Sequence, residues 1–215
     1  MHDGFLTIAE IIERHETLFQ DGFNEAVAKR ENVNTASYDL HLGQDVYLSG
    51  DDYPRQLTQG QPLILIPRGQ FALLMTDEYI TMPKDYFGLI SIKFSIKVRG
   101  LINVSGFHID PGFSGRITFS VFNAGPVDVM LEYGKPTFMI FFYKLHCEAG
   151  PYKGDKGDKK HLPTEFVTSA KGVSASLADV DKRVRSLETS SRIWWALLLT
   201  VIAGLTALLI STFNR

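Results

Sequence analysis

From Ser37 onward the chain alternates short runs of β-branched and aromatic residues with clusters of Gly, Pro, Asn and Asp. The runs are Val46 to Leu48, Leu63 to Ile66, Phe71 to Met75, Leu89 to Phe94, Arg116 to Phe122, Val127 to Leu131 and Thr137 to Tyr143. Strands of that length, punctuated by turn residues, predict an all-β sandwich or barrel. Residues 5 to 30 follow another period. Phe5, Leu6, Ile8, Ile11 and Ile12, then Leu18, Phe19, Phe23 and Val27, recur at helical spacings, with Thr7 placed as a cap. The pattern predicts a helix leading a β domain over residues 1–149.

Beyond the β region the pattern changes twice. Gly150 to Lys160 is rich in Gly and Lys, apolar only at Tyr152, and predicts a flexible linker over 150–170. Val173, Leu177, Val180, Val184 and Leu187 then recur at alternating four- and three-residue steps, predicting a short coiled coil over 171–192. A single amphipathic helix lying on lipid is the competing reading of that repeat. From Ile193 to Phe213 about twenty residues carry no charge, enough at about 1.5 Å per residue to cross a bilayer core. A buried core helix is the competing reading, but few such helices are apolar on every face. Trp194 and Trp195 stand at the leading edge. Lys182, Arg183, Arg185 and Arg192 precede the stretch and Arg215 follows it. The expectation is a single-pass membrane protein held in lipid through 193–213, its soluble domain facing the cytoplasm.

Composition narrows the chemistry. The chain has 215 residues, 45% hydrophobic and 21% charged, which suits a globular protein with a sizeable core. Its 22 basic and 24 acidic residues leave a net charge of -2, so no overall field draws it to nucleic acid. The single cysteine, Cys147, precludes an intrachain disulfide and reads as a buried thiol in a reducing compartment. Met1 to Phe5 shows no basic region leading into an apolar run, so no signal peptide is expected. Neither GxGxxG nor GxxxxGK[ST] occurs, which argues against Rossmann and P-loop nucleotide sites. One cysteine also rules out the zinc site of cytidine-type deaminases, which needs a PCxxC pair, so no zinc is expected.

Several segments, in order, resemble one family. Ala36 to Gly43 (ASYDLHLG) resembles the "SYDLRLG" segment that opens the β domain of dCTP deaminases. Pro67 to Leu73 resembles their "PGxFxL" strand, Thr81-Met82-Pro83 their "lP" turn, and Ile109 to Gly115 (IDPGFSG) their "IDPGWSG" hairpin. Arg116 to Asn123 and Gly134 to Phe142 follow as the closing strands. The similarity to the dCTP deaminase and dUTPase superfamily spans about residues 5 to 153. It implies a distorted jelly roll of the dUTPase-like β-clip type. It also implies a homotrimer, which a coiled coil would suit, with pyrimidine deoxynucleotide sites shared between subunits. Deamination in this family uses no metal and relies on a carboxylate as general base and acid. Magnesium is implied only as a companion of the triphosphate.

The resemblance also assigns expected roles. Asp110 matches the dUTPase aspartate that orients the attacking water near the deoxyribose; the alternative is a turn-capping Asp before Pro111. Phe113 matches the aromatic packed under the sugar, or else is a core phenylalanine. The hairpin around Ser105, Gly106, Phe107 and His108 is expected to read the base through backbone groups, though a lone histidine such as His108 is more often structural. Lys93, Ser95, Lys97 and Arg99 alternate as candidate triphosphate contacts or as a solvated strand face. Lys153 matches the start of the tail that folds over the nucleotide.

The departures bear on activity. The deaminase pattern "ItLExxN" has a glutamate where this chain has Ser120, and a hydroxyl cannot shuttle a proton at neutral pH as a carboxylate does. Ser120 instead matches "ISVWN" of dUTPases. The "RSS" phosphate turn, however, reads Lys93-Phe94-Ser95, the glutamine of "GxRxAQ" is Met139, and the glycine-rich C-terminal arm is missing. The sequence therefore predicts pyrimidine deoxynucleoside triphosphate binding, with water-mediated deamination or pyrophosphate-releasing hydrolysis through Asp110. The alternatives are a catalytically degenerate sensor or scaffold coupling nucleotide occupancy to the membrane helix, and a structural trimer with an emptied site.

Overall fold

Thr7 opens the first helix. Its hydroxyl accepts the Glu10 backbone N–H at 3.4 Å, and the Glu10 carboxylate accepts the Thr7 N–H at 2.9 Å, a reciprocal capping box. The structure is a computed structural model describing residues 4–23, 25, 28, 36–154, 161–170 and 177–213. It begins with β1 (Gly4–Phe5), α1 (Ile8–Glu13), α2 (His15–Leu18) and β2 (Phe19–Asp21). The helical period expected across residues 5 to 30 is thus interrupted by extended Phe19–Asp21, and among the described residues beyond it Glu25 and Ala28 are again helical. Phe19 turns extended because its ring is claimed by the core, 4.9 Å from the ring of Tyr38 and 5.8 Å from that of Phe142.

The body of the domain follows as β3 (Tyr38–Leu48), β4 (Arg55–Gln56), β5 (Leu63–Ile66), β6 (Phe71–Thr81) and β7 (Tyr86–Ile92). After α3 (Phe94–Lys97) come β8 (Leu101–Ser105), β9 (His108–Ile109), β10 (Ser114–Asn123), β11 (Val129–Glu132) and β12 (Pro136–Lys144). Among the described residues ten strands form one antiparallel sheet. Its order is β8-β10-β6-β3-β12-β7-β9, with β1 beside β12, β2 beside β6 and β4 beside β3, while β5 and β11 pair separately. The two ends of that order, β8 and β9, are separated in sequence only by Gly106 and Phe107. The sheet must therefore curl until its ends meet at this turn. The fold is mainly β, with a curled sheet.

Period-two alternation sorts β10 between two faces. Ile117, Phe119 and Val121 are buried in the core, where Phe119 stacks on Phe138 at 3.6 Å between ring centres. Burial of each such side chain contributes about 1.5–3 kcal/mol. Arg116, Thr118 and Ser120 take the opposite face. Opposite Arg116 and Thr118, β6 carries a bulge, since these two residues pair with Tyr79 and Met75. The Thr76 hydroxyl occupies the break, donating to the Glu78 carbonyl at 2.9 Å and accepting the Ile117 N–H at 2.9 Å.

Three expectations change within the β domain and the residues packed on it. The alternation Lys93, Ser95, Lys97, Arg99 is no strand face. The Lys97 N–H bonds the Lys93 carbonyl and the Val98 N–H the Phe94 carbonyl, each at 3.0 Å, winding the segment into α3 around buried Ile96. Residues 161–170, read from composition as linker, include α4 (Thr164–Ala170), whose Val167 packs on Tyr47 and Leu73. His161 Nδ1 adds a 2.8 Å contact with Asp45 Oδ2. Cys147 is exposed rather than buried.

Residues 175–215 form a separate compact unit, holding α5 (Leu177–Phe213). The expected anchor is corrected here: among the described residues no helix is long and apolar enough to cross a membrane. With it falls the expected membrane localisation, with lipid contact through 193–213 and a cytoplasm-facing domain. The apolar stretch does not stand alone but trails a 37-residue helix whose leading part carries Arg185, Glu188 and Arg192. The coiled coil also finds no support. Val173 lies outside the described residues, as do the side chains of Leu177 and Val180, while Val184 and Leu187 are exposed.

Candidate functional site

The hairpin that closes the curled sheet also builds the site. Asp110-Pro111-Gly112-Phe113 forms a tight turn in which the Phe113 N–H bonds the Asp110 carbonyl at 3.2 Å. Gly112 takes φ of 81°, the left-handed conformation that the third position of a type II turn requires. The turn is pinned to the Thr81-Met82-Pro83 corner: the Gly112 N–H donates to the Met82 carbonyl at 2.9 Å, and the Met82 N–H to the Phe113 carbonyl at 2.8 Å. A side chain at 112 would also press on Tyr152, whose Cβ lies 3.0 Å from the position a Cβ would take. The turn's conformation therefore fixes where Asp110 points and leaves room for Tyr152 to pack across Phe113, edge to face at 6.2 Å.

A cavity of about 510 Å³ opens on this hairpin, lined by Gly106, His108, Asp110 and Phe113, by Arg116 and Thr118 of β10, and by Tyr152 and Glu165 from later in the chain. Its size suits a small ligand. The Asp110 side chain is 57% exposed and faces the His108 imidazole at 3.6 Å, too far for a hydrogen bond. His108 is held instead by its ring, stacked on Phe87 at 5.6 Å. Asp110 is thus an exposed carboxylate at the mouth of a concave site, open to a water or a ligand hydroxyl. Phe113 has a double role, packing against the core as well as lining the cavity.

The other residues singled out in the sequence fall elsewhere. Ser120 is buried, and its hydroxyl pairs with that of Ser105 on the adjacent strand. Neither lines the cavity. Phe107 exposes its ring while its carbonyl accepts the Ile90 N–H at 2.8 Å, closing the sheet. Lys93 is engaged by the Asp39 carboxylate, which is almost wholly buried, and Ser95 is exposed on α3. Lys97 Nζ reaches Ser91 Oγ at 2.6 Å, and Arg99 Nη1 the Met130 carbonyl at 3.2 Å. Lys153 is exposed, one residue past Tyr152. Among the described residues no group of three or more His, Cys, Asp or Glu side chains could hold a metal.

Sequence reasoning missed Arg116, Thr118, Tyr152 and Glu165. Arg116 and Thr118 carried a usable signal, since both share Ser120's face by strand alternation. Glu165 had none, because it reaches the cavity only through the way residues 161–170 pack on the domain.

A curled antiparallel sheet whose closing hairpin carries an acid beside a ligand-sized cavity defines the class. The sequence profile of dCTP deaminase-like proteins matches residues 5–145, and the chain belongs to that family. It is 34% identical over 133 residues to a dCTP deaminase of Thermococcus kodakarensis, covering 61% of this chain and 83% of that one. It is 30% identical over 170 residues to a dUMP-forming dCTP deaminase of Dictyoglomus thermophilum, covering 71% and 84%. The crystal structure of 2'-deoxycytidine 5'-triphosphate deaminase from Agrobacterium tumefaciens shares the fold, with a TM-score of 0.54 at 16% identity. That match covers 67% of this chain and half, 50%, of the other.

Proposed function

We propose that this chain binds a pyrimidine deoxynucleoside triphosphate in the cavity on the 106–118 hairpin, with Asp110 as the carboxylate that activates water. The observation that carries the reading is the placement of Asp110: half exposed, not hydrogen-bonded to His108, and beside Phe113 in a cavity of about 510 Å³. Phe113 offers a flat apolar surface to the sugar, and the 106–108 backbone lies along the same wall. Magnesium would be held mainly by the phosphates, since such ions are commonly bound through one or two carboxylates plus substrate phosphates.

Between the two reactions, the Ser105–Ser120 pair favours hydrolysis. Deamination adds water at the base carbon that bears the amino group and expels ammonia, so a group must carry a proton to the leaving nitrogen. Ser120 stands where the family's deaminases place that carboxylate, and its hydroxyl is already engaged. Hydrolysis needs water to attack phosphorus and pyrophosphate to leave, for which Asp110 suffices as base. The same pair supports a second reading, nucleotide binding without turnover.

We further propose a homotrimer with its sites between subunits. Support comes from an exposed apolar group on α3, β8 and the closing turn: Phe94, Val98, Ile102, Val104 and Phe107. Light scattering of the purified chain tests the stoichiometry. Function is tested by titrating dCTP, dUTP and dTTP calorimetrically, with and without magnesium, while assaying ammonia and pyrophosphate. Pyrophosphate from dUTP is the expected product. Binding with neither product selects the second reading, and no binding of any of the three rejects both.

A further inference from the structure

The cavity holds a cation that no family motif assigns. Arg116 is the only lysine or arginine among the described residues that line it, and it faces inward from the same side of β10 as Thr118. Its guanidinium is fixed from behind. Nε donates to the Asp77 carbonyl at 3.1 Å, an acceptor presented by the β6 bulge. Nη2 comes only to 3.9 Å from Asp21 Oδ2, and that carboxylate is 74% exposed. A contact that long is no hydrogen bond, and one that wet is a weak competitor for an incoming anion. The side chain of Arg116 itself is 26% exposed, enough to be reached and sheltered enough for a new bond to matter.

The surrounding charges define the ligand. Asp110 and Glu165 line the same space, so an anion entering it meets two carboxylates and needs a specific counterweight. A guanidinium held through Nε keeps its two terminal amino groups as a planar fork, which matches two oxygens of a phosphoryl group better than an ammonium does. The residues that family resemblance would have used are committed elsewhere: Lys93 to Asp39, Lys97 to Ser91 and Arg99 to the Met130 carbonyl. We infer that Arg116 is the anchor for a phosphoryl group of the bound nucleotide, taking over a task that the altered Lys93-Phe94-Ser95 turn performs poorly. The inference rests on the nucleotide reading of this cavity and adds to it which part of the ligand lies against β10.

The test uses the full chain, wild type and the variants Arg116→Gln and Arg116→Lys, titrated calorimetrically with dUTP, dCTP, deoxyuridine, deoxycytidine and inorganic tripolyphosphate. Arg116→Gln is expected to weaken triphosphate binding about ten- to a hundredfold, the range of one charge-assisted pair, while nucleoside binding holds. Arg116→Lys restores part of the loss, because charge returns without the fork. Triphosphate affinity unchanged in Arg116→Gln overturns the anchor. So does a parallel loss of nucleoside binding, which would mark a fold effect rather than a phosphate contact. If Arg116→Gln does not fold, the lysine variant decides: affinity equal to wild type overturns the fork argument, and intermediate affinity sustains it. Should wild type bind no nucleotide, the functional reading fails by itself. The anchor then stands only if tripolyphosphate binds wild type and is lost in Arg116→Gln.

Discussion

His41 and Glu78 meet inside the sheet; His108 and Asp110 meet at its rim. In the first pair His41 Nδ1 lies 2.5 Å from Glu78 Oε1, and Glu78 is fully buried. Both carboxylate oxygens also accept the His41 backbone N–H at 3.0 Å, and the Tyr38 hydroxyl donates at 3.3 Å. In the second pair the groups stand 3.6 Å apart, and each is more than half exposed. A histidine beside a carboxylate therefore serves opposite ends. Glu78 has its oxygens filled by protein donors, so it fastens β6 to β3 and is closed to a ligand. Asp110 keeps its oxygens open, which is what a water-activating base needs.

Asp110→Asn is the sharpest way to break this contrast. The amide keeps the shape and loses the proposed base, so turnover should fall about 10²–10⁴-fold. Thermal stability should move by no more than about 0.5 kcal/mol, as for other exposed positions. A large loss of melting temperature with activity per folded molecule intact would assign Asp110 the structural role and leave the cavity without its base.

Glu78→Ala should do the reverse. Removing one partner from a buried, hydrogen-bonded pair is expected to destabilise the fold by about 3–5 kcal/mol, read by urea denaturation. Glu78 also sets a pH dependence. Burial pushes its carboxyl above the ordinary 4.5, and the hydrogen bond and charge of His41 pull it back only in part. Above the unfolded value the folded state still holds a proton that the unfolded chain has released. Glu78's contribution is therefore full below that value and declines as pH rises through the folded one. Glu78→Gln, which cannot ionise, should flatten that part of the stability profile. An unchanged slope in the glutamine variant would place the titration on another group.

These two carboxylates also mark how far the sequence could be read. The strands were visible where alternation was clean: Leu63 to Ile66 is β5 residue for residue, and Arg116 to Phe122 lies within β10. β6 runs six residues past the expected Met75, because Thr76 and Glu78 are polar side chains with buried partners, and polarity alone reads as a turn. Asp110 was singled out because the Ile109 to Gly115 hairpin resembles the family's motif, since Pro111 and Gly112 by themselves mark only a turn. Glu78 was invisible, since its partner His41 is thirty-seven positions away and only the pairing of β3 with β6 brings them together. Glu165 was missed for the same reason, whereas Arg116 shares Ser120's face by alternation and only the cavity in front of that face was out of view. A cavity wall is set by which strands become neighbours, and local period carries no record of that.

The Ser105–Ser120 pair offers a smaller contrast of the same kind, one hydroxyl exposed and one buried. Ser105→Ala should be the costlier change, about 1–3 kcal/mol, because it strands the buried Ser120 hydroxyl. Ser120→Ala leaves an exposed hydroxyl that water can satisfy, and should cost about 1 kcal/mol or less. Equal costs would mean that water reaches both.

The smallest effect belongs to a third histidine–carboxylate pair, intermediate between the first two. His161 is 73% exposed while Asp45 is only 10% exposed, and Nδ1 lies 2.8 Å from Oδ2. Asp45 keeps a second partner, since Gln56 Nε2 donates to its other oxygen at 3.1 Å. His161→Ala therefore leaves no orphaned buried charge, and the exposed partner was already paying most of its attraction to solvent screening. The expected loss is about 0–1 kcal/mol, shrinking further as salt is raised. What holds α4 in place is the packing of Val167 and Leu162 against Tyr47, Leu73 and Phe71. Val167→Ala should accordingly loosen residues 161–170 more than His161→Ala does, as amide hydrogen exchange of that segment would report. If His161→Ala frees the segment instead, the ion pair is the fastening, and the cavity wall that includes Glu165 depends on a single contact.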